Sequence, residues 1–109
     1  MNKVTFVSAS DAKYVPMLRE WIHSIRRFPE SADFDISVFD VGMTDAQRES
    51  VRPLVTSLMA PEWPKSIPAH RLKGRDYIKA CVNRPFMPEL FPGYDTYFWM
   101  DSDTWLQDW

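Results

Sequence analysis

Hydrophobic and polar residues alternate in blocks along the chain, and each block has a readable period. Val4-Thr5-Phe6-Val7 is a β-branched and aromatic run that reads as a buried strand. The small and polar residues Ser8-Ala9-Ser10-Asp11 are expected to end it. From Tyr14 to Arg27 the apolar positions are Tyr14, Val15, Leu18, Trp21, Ile22 and Ile25. Spacings of three and four put them on one stripe of a helix. Pro16 suits the first turn of that helix, and Pro29 stops it.

Asp35 to Val41 reads as a second strand, closed by Gly42. Thr44 followed by Gln47 is a capping-box signature for a helix running from about Asp45 to Leu58. Pro53 is expected to disturb or split that helix, since it lacks an N–H and crowds the preceding turn. A strand around Leu58-Met59 is weakly signalled. Pro61, Pro64 and Pro68 make the next stretch irregular. Gly74 to Val82 reads as a short helix, and Phe86 to Phe91 as a further turn or two closed by Gly93. Thr96-Tyr97-Phe98-Trp99-Met100 is the strongest strand signal. It is apolar without alternation, as expected of a strand covered on both faces. Asp101-Ser102-Asp103 follows at its carboxyl end.

The alternation of strands and helices predicts an α/β fold, a mainly parallel Rossmann-like sheet with flanking helices. In such sheets ligands bind beyond the carboxyl ends of the strands. Ala9 to Asp11, Asp40 to Gly42 and Asp101 to Asp103 all fall at such ends.

Composition narrows the possibilities. The 109 residues allow one domain with one core. A formal net charge of -2 leaves no basic surplus for a phosphate backbone, which argues against nucleic acid as a partner. No apolar run approaches the length of about 20 residues needed to cross a bilayer. The N-terminus shows no signal-peptide pattern, so a cytoplasmic location is the expectation. Cys81 is the single cysteine, so an intrachain disulfide is excluded and a reducing compartment fits. His23 and His70 are isolated and read as surface or core histidines. Trp99, Trp105 and Trp109 crowd the C-terminal end, which is expected to be buried, to bind something, or to drive self-association.

Asp101 and Asp103 carry the candidate chemistry. Close carboxylates repel and raise one another's pKa, a conflict that a divalent cation removes. Mg²⁺ and Mn²⁺ are hard cations that take one or two carboxylates together with substrate phosphates. The plainer reading is that Asp101-Ser102-Asp103 are turn residues at a strand end.

The segment Thr96 to Thr104 resembles the DXD strand of GT-A-fold glycosyltransferases, especially the family-8-like group. Three further segments resemble that group in the same order. Ser8 to Tyr14, with Leu18 and His23-Ser24-Ile25, looks like its first strand, nucleotide loop and first helix. Val38 to Thr44, with Gln47-Arg48, looks like its second strand and helix start. Arg84-Pro85 sits where the group carries a basic residue. The resemblance implies a metal-dependent transferase using a nucleotide-sugar donor, a UDP sugar above all, with Mn²⁺ or Mg²⁺ and a carbohydrate, lipid or protein acceptor.

Under that resemblance Ala9 and Asp11 border the uridine base. Asp101 meets the ribose and the metal side, Asp103 ligates the metal, and Arg84 faces the diphosphate or donor sugar. Lys13 departs from the small amide common at its position in the group. Lys79 is a second phosphate candidate, with solvated helix surface as its plainer reading. Members of the group are longer than this chain, so the resemblance also implies a fragment that binds nucleotide weakly and transfers no sugar by itself. Two rival readings stand beside it. One is a fragment of a haloacid-dehalogenase-like phosphatase, whose Asp-x-Asp strand carries a nucleophile and a general acid. The other is a non-enzymatic α/β interaction module whose aspartates only form a turn.

Overall fold

The structure, a computed structural model, describes residues 3–61, 87–102 and 104–105. The elements are β1 (Val4–Ser10), α1 (Val15–Arg26), β2 (Asp35–Asp40), α2 (Asp45–Val51), β3 (Ser57–Met59), α3 (Met87–Leu90) and β4 (Thr96–Trp99). Short 3₁₀ turns lie at Pro29–Asp33 and Arg52–Leu54. The strands form one four-stranded sheet in the order β3-β2-β1-β4, and every pairing is parallel. The α/β reading therefore holds. The expected helix over 74–82 lies outside the described residues.

β1 is the central strand, bonded to β2 on one side and β4 on the other. It runs three residues further than its apolar core suggested, because Ser8, Ala9 and Ser10 stay in register with Val38, Phe39 and Asp40. Small residues fit there because both faces are covered. On one face Phe6 packs with Val15, Leu18, Trp21, Ile22 and Ile25 of α1 and with Ile36 and Val38 of β2. On the other, Val7 packs with Phe39, Val41 and Phe91. The α1 stripe is buried from Val15 to Ile25, with Leu18, Trp21 and Ile25 completely so, whereas Tyr14, read as its first member, caps the helix and is exposed. Side chains of this size each contribute about 2 kcal/mol on burial.

α2 begins as predicted. The Thr44 side chain accepts from the Gln47 N–H at 3.2 Å, and Gln47 Oε1 accepts from the Thr44 N–H at 3.0 Å. It ends earlier than predicted, at Val51, and the chain continues as the 3₁₀ turn through Pro53. Proline offers no N–H to the carbonyl one turn back, so the α-helical ladder cannot pass it. The chain is thereby freed to form β3 over Ser57–Met59.

α1 and α2 lie on the same face, where Val51 of α2 joins the cluster formed by Leu18, Trp21, Ile22 and Ile25. β4 then joins the opposite side of β1, with Met87, Leu90 and Phe91 against the other face. At the amino ends of the strands a polar network fixes this arrangement. The Thr5 and Ser37 hydroxyls share a buried hydrogen bond of 2.7 Å, and the Tyr94 hydroxyl donates to Asp35. Asp95 N–H donates to Lys3 O at 2.7 Å, and Lys3 N–H donates to Asp95 Oδ2 at 2.7 Å.

The reading of the last strand as fully covered needs correction. β4 is outermost among the described strands, all its residues are at least partly exposed, and Phe98 is 52% exposed. Its unbroken apolar character has another cause. Phe98 stacks on Phe6 (centroids 5.7 Å apart) on one face, while Tyr97 and Trp99 pack on the other beside Tyr94 and Phe39. Both faces thus carry aromatic anchors although β4 has a strand partner on one side only among the described residues. Among the described residues, no helix is long and apolar enough to cross a membrane.

Candidate functional site

Strand order reverses at β1: from β1 the chain steps to β2 and β3 on one side, then returns to place β4 on the other. The region beyond the carboxyl ends of β1 and β4 is therefore the topological switch point, the place where open α/β sheets bind ligands. Val7 pairs with Trp99, and Met100 N–H donates to Val7 O at 2.9 Å. Asp101 thus leaves the sheet directly beside the Ser8–Ser10 end of β1.

Asp101 is exposed. Its carbonyl accepts from the Thr104 N–H at 3.0 Å and from Thr104 Oγ1 at 2.6 Å, which ties Thr104 back to the end of β4. Its carboxylate accepts from the Trp99 indole N–H at 3.0 Å. The indole is itself tilted against Phe39, at 6.4 Å between centroids, so a core aromatic steers the carboxylate. The turn reading and the ligand reading both fit this geometry, since the turn uses the backbone carbonyl and leaves the side-chain oxygens at the surface.

Ala9 lies in β1 and packs against the Val7–Phe39 cluster, with a side chain small enough for the crowded strand end. Asp11 is half-buried in the loop that follows, and its Oδ1 accepts from the Tyr14 N–H at 3.1 Å at the start of α1. Lys13 is exposed, with its ammonium 5.6 Å from the Tyr14 ring centroid. The fold thus gathers Ala9, Asp11 and Asp101 at neighbouring strand ends, with Lys13 on the same loop. Arg84, Lys79 and Asp103 lie outside the described residues, as do His70, Cys81 and Trp109. His23 is exposed in the last turn of α1, where a basic group suits the helix dipole.

The third strand end has a different role. Asp40 is buried and bonded within its own loop. Its Oδ1 accepts from the Gly42 N–H at 3.0 Å and the Met43 N–H at 2.7 Å, and Oδ2 is paired with Arg48 Nε. Arg48 also reaches Asp45 at 2.5 Å and the Met43 carbonyl at 2.9 Å. Burial pushes the Asp40 carboxyl up, but the Arg48 guanidinium and the two backbone N–H groups outweigh it and hold the group below 3.8. Sequence reasoning placed Asp40 at a strand end but missed this pairing; the spacing of Asp40 and Arg48 across the capped start of α2 was the available signal.

A divalent ion needs oxygen ligands. Asp101 offers an exposed carboxylate at the switch point, and Mg²⁺-type sites take much of their shell from water and phosphate. Among the described residues no group of three or more His, Cys, Asp or Glu side chains gathers to hold a metal by itself. No protein-family model matches the chain, and no curated protein matches it.

Proposed function

We propose that the chain is the nucleotide-sugar-binding part of a metal-dependent glycosyltransferase, using a UDP sugar and Mn²⁺ or Mg²⁺. The observation that supports this reading is the placement of two acidic residues, Asp11 after β1 and Asp101 after β4, beyond the carboxyl ends of adjacent strands at the reversal of strand order. In this reading Ala9 and Asp11 border the base, and Asp101 and Asp103 hold the metal side. Lys13 lies on the base loop, and Arg84 serves the diphosphate, for which a planar guanidinium is well matched. A bound ion would offset the charge developing on a departing diphosphate. The acceptor would be a carbohydrate, lipid or protein.

Calorimetric titration of the 109-residue chain with UDP, with and without Mn²⁺, tests this directly. Binding is expected with Mn²⁺, weakened at least tenfold without it, and lost in Asp103→Ala and Asp101→Ala. No binding with Mn²⁺ present, or binding indifferent to both substitutions, would sink the reading.

One observation favours a second reading, an interaction module. Phe98 and Trp105 are 52% and 46% exposed, more apolar surface than a lone ring requires. Self-association without any UDP binding would select it.

A further inference from the structure

The loop between β1 and α1 carries Asp11 and Lys13, and its centre is held from outside. Ala12 N–H donates to the Gly42 carbonyl at 3.1 Å, and Ala12 C=O accepts from Gln47 Nε2 at 3.0 Å. Both halves of one peptide position are thus gripped by the β2–α2 unit. The grip is continued upstream, where Val41 N–H donates to Ser10 O at 3.0 Å.

Gln47 is half-buried in the first turn of α2, and its amide works in two directions. Oε1 accepts from the Thr44 N–H, while Nε2 reaches across 35 sequence positions to Ala12. Turning the amide over would set donor against donor at Thr44 and acceptor against acceptor at Ala12, so the two contacts fix its orientation. The platform behind it is rigid, because Asp40 binds the Gly42 and Met43 N–H groups and pairs with Arg48.

We propose that Gln47 is a positioning residue for the ligand loop: acting through Ala12, it holds the segment bearing Asp11 and Lys13 in place beyond the carboxyl end of β1. This rests on the reading of that strand end as part of a nucleotide site. An ordered loop spares the ligand the cost of ordering it, so losing the grip lowers affinity without removing any group that touches ligand.

Two substitutions separate this role from helix capping. Gln47→Glu keeps an acceptor for the Thr44 N–H at the start of α2, where negative charge is favourable, but presents no donor to Ala12. Thr44→Ala removes the cap oxygen and leaves the Gln47 amide in place. In the full 109-residue chain, amide hydrogen exchange at Ala12 and Tyr14 reads the loop, thermal unfolding reads the fold, and titration with UDP and Mn²⁺ reads the site.

Gln47→Glu is expected to speed exchange at Ala12 and Tyr14 by about tenfold, the scale of one lost hydrogen bond, and to weaken UDP by a similar factor. Its unfolding midpoint should stay near wild type. Thr44→Ala should lower the midpoint and leave loop exchange unchanged. Unchanged loop exchange in Gln47→Glu overturns the proposal, as does a loosened loop with wild-type UDP affinity. Equal loosening by Thr44→Ala overturns it too. No UDP binding by the wild-type chain refutes the nucleotide reading and the ligand half of this inference, while the exchange data still decide whether Gln47 holds the loop.

Discussion

Replacing Tyr94 with phenylalanine tests what holds β4 in register. The Tyr94 hydroxyl donates to Asp35 and sits beside the Thr5–Ser37 hydrogen bond. Burial, then the hydrogen bond to Asp35 and the negative charge of Asp35, push this phenol from 10.0 up to about 12. A folded-state pKa above the unfolded one means that the native chain holds the proton more tightly. The stabilisation is therefore complete below about pH 10 and is lost as pH rises towards 12. Linkage sets an upper bound of about 3 kcal/mol above pH 12; solvent screening of this part-exposed phenol lowers it, so a loss on the order of 1 kcal/mol is expected by pH 11. Tyr94→Phe should cost about 1 kcal/mol at pH 8, from the lost hydrogen bond, and should be free of this alkaline term. Urea unfolding of both proteins from pH 8 to 11.5 measures it. The gap between them should close, then reverse, near pH 11. Curves that stay parallel across that range would show that the phenol does not carry the coupling.

Asp40→Asn should remove an acid-sensitive part of the stability. The wild-type contribution is present above about pH 4 and fades as pH falls through the lowered folded value, so urea midpoints of the two proteins should converge in acid. Ser8 Oγ is fully buried and has no hydrogen-bond partner among the described residues, so Ser8→Ala should stabilise the chain by about 1 kcal/mol in thermal unfolding; a loss instead would reveal a partner for the hydroxyl. Gly42 has φ +143°, which a side chain tolerates poorly, so Gly42→Ala should cost about 1–2 kcal/mol by the same measurement and speed amide exchange at Ala12.

Local features of the fold were legible in the chain. The α1 stripe, the Thr44–Gln47 capping box and the break at Pro53 each depend on residues a few positions apart, and each appears in the structure. The weakly signalled strand at Leu58-Met59 is present because Ser57, Leu58 and Met59 pair with Ser37, Val38 and Phe39. What the pattern of residues concealed was non-local. An unbroken apolar run in β4 looks alike whether the strand is central or outermost, and only the pairing with β1 decides. At the site, the strand ends bearing Asp11 and Asp101 were predictable from their positions after apolar runs. The division of labour was not. Asp40 reads as an equally good candidate until its oxygens are seen bonded to Gly42, Met43 and Arg48. Gln47 reads as a cap until its other amide end is traced to Ala12.

The central place of β1 has a consequence for how the molecule is made. It leaves the ribosome well before β4, so one of its two flanks waits for residues such as Asp95, which meets Lys3 across 92 positions. Until then the β1-β2-β3 half presents a bare strand edge and lacks the ring of Phe98 that stacks on Phe6, with no charged residue between Val4 and Ser10 to discourage pairing with another chain. Parallel sheets closed by such distant partners assemble slowly. Yield during expression should therefore depend more on protecting that waiting edge, through lower temperature or a chaperone, than on the strength of the finished core.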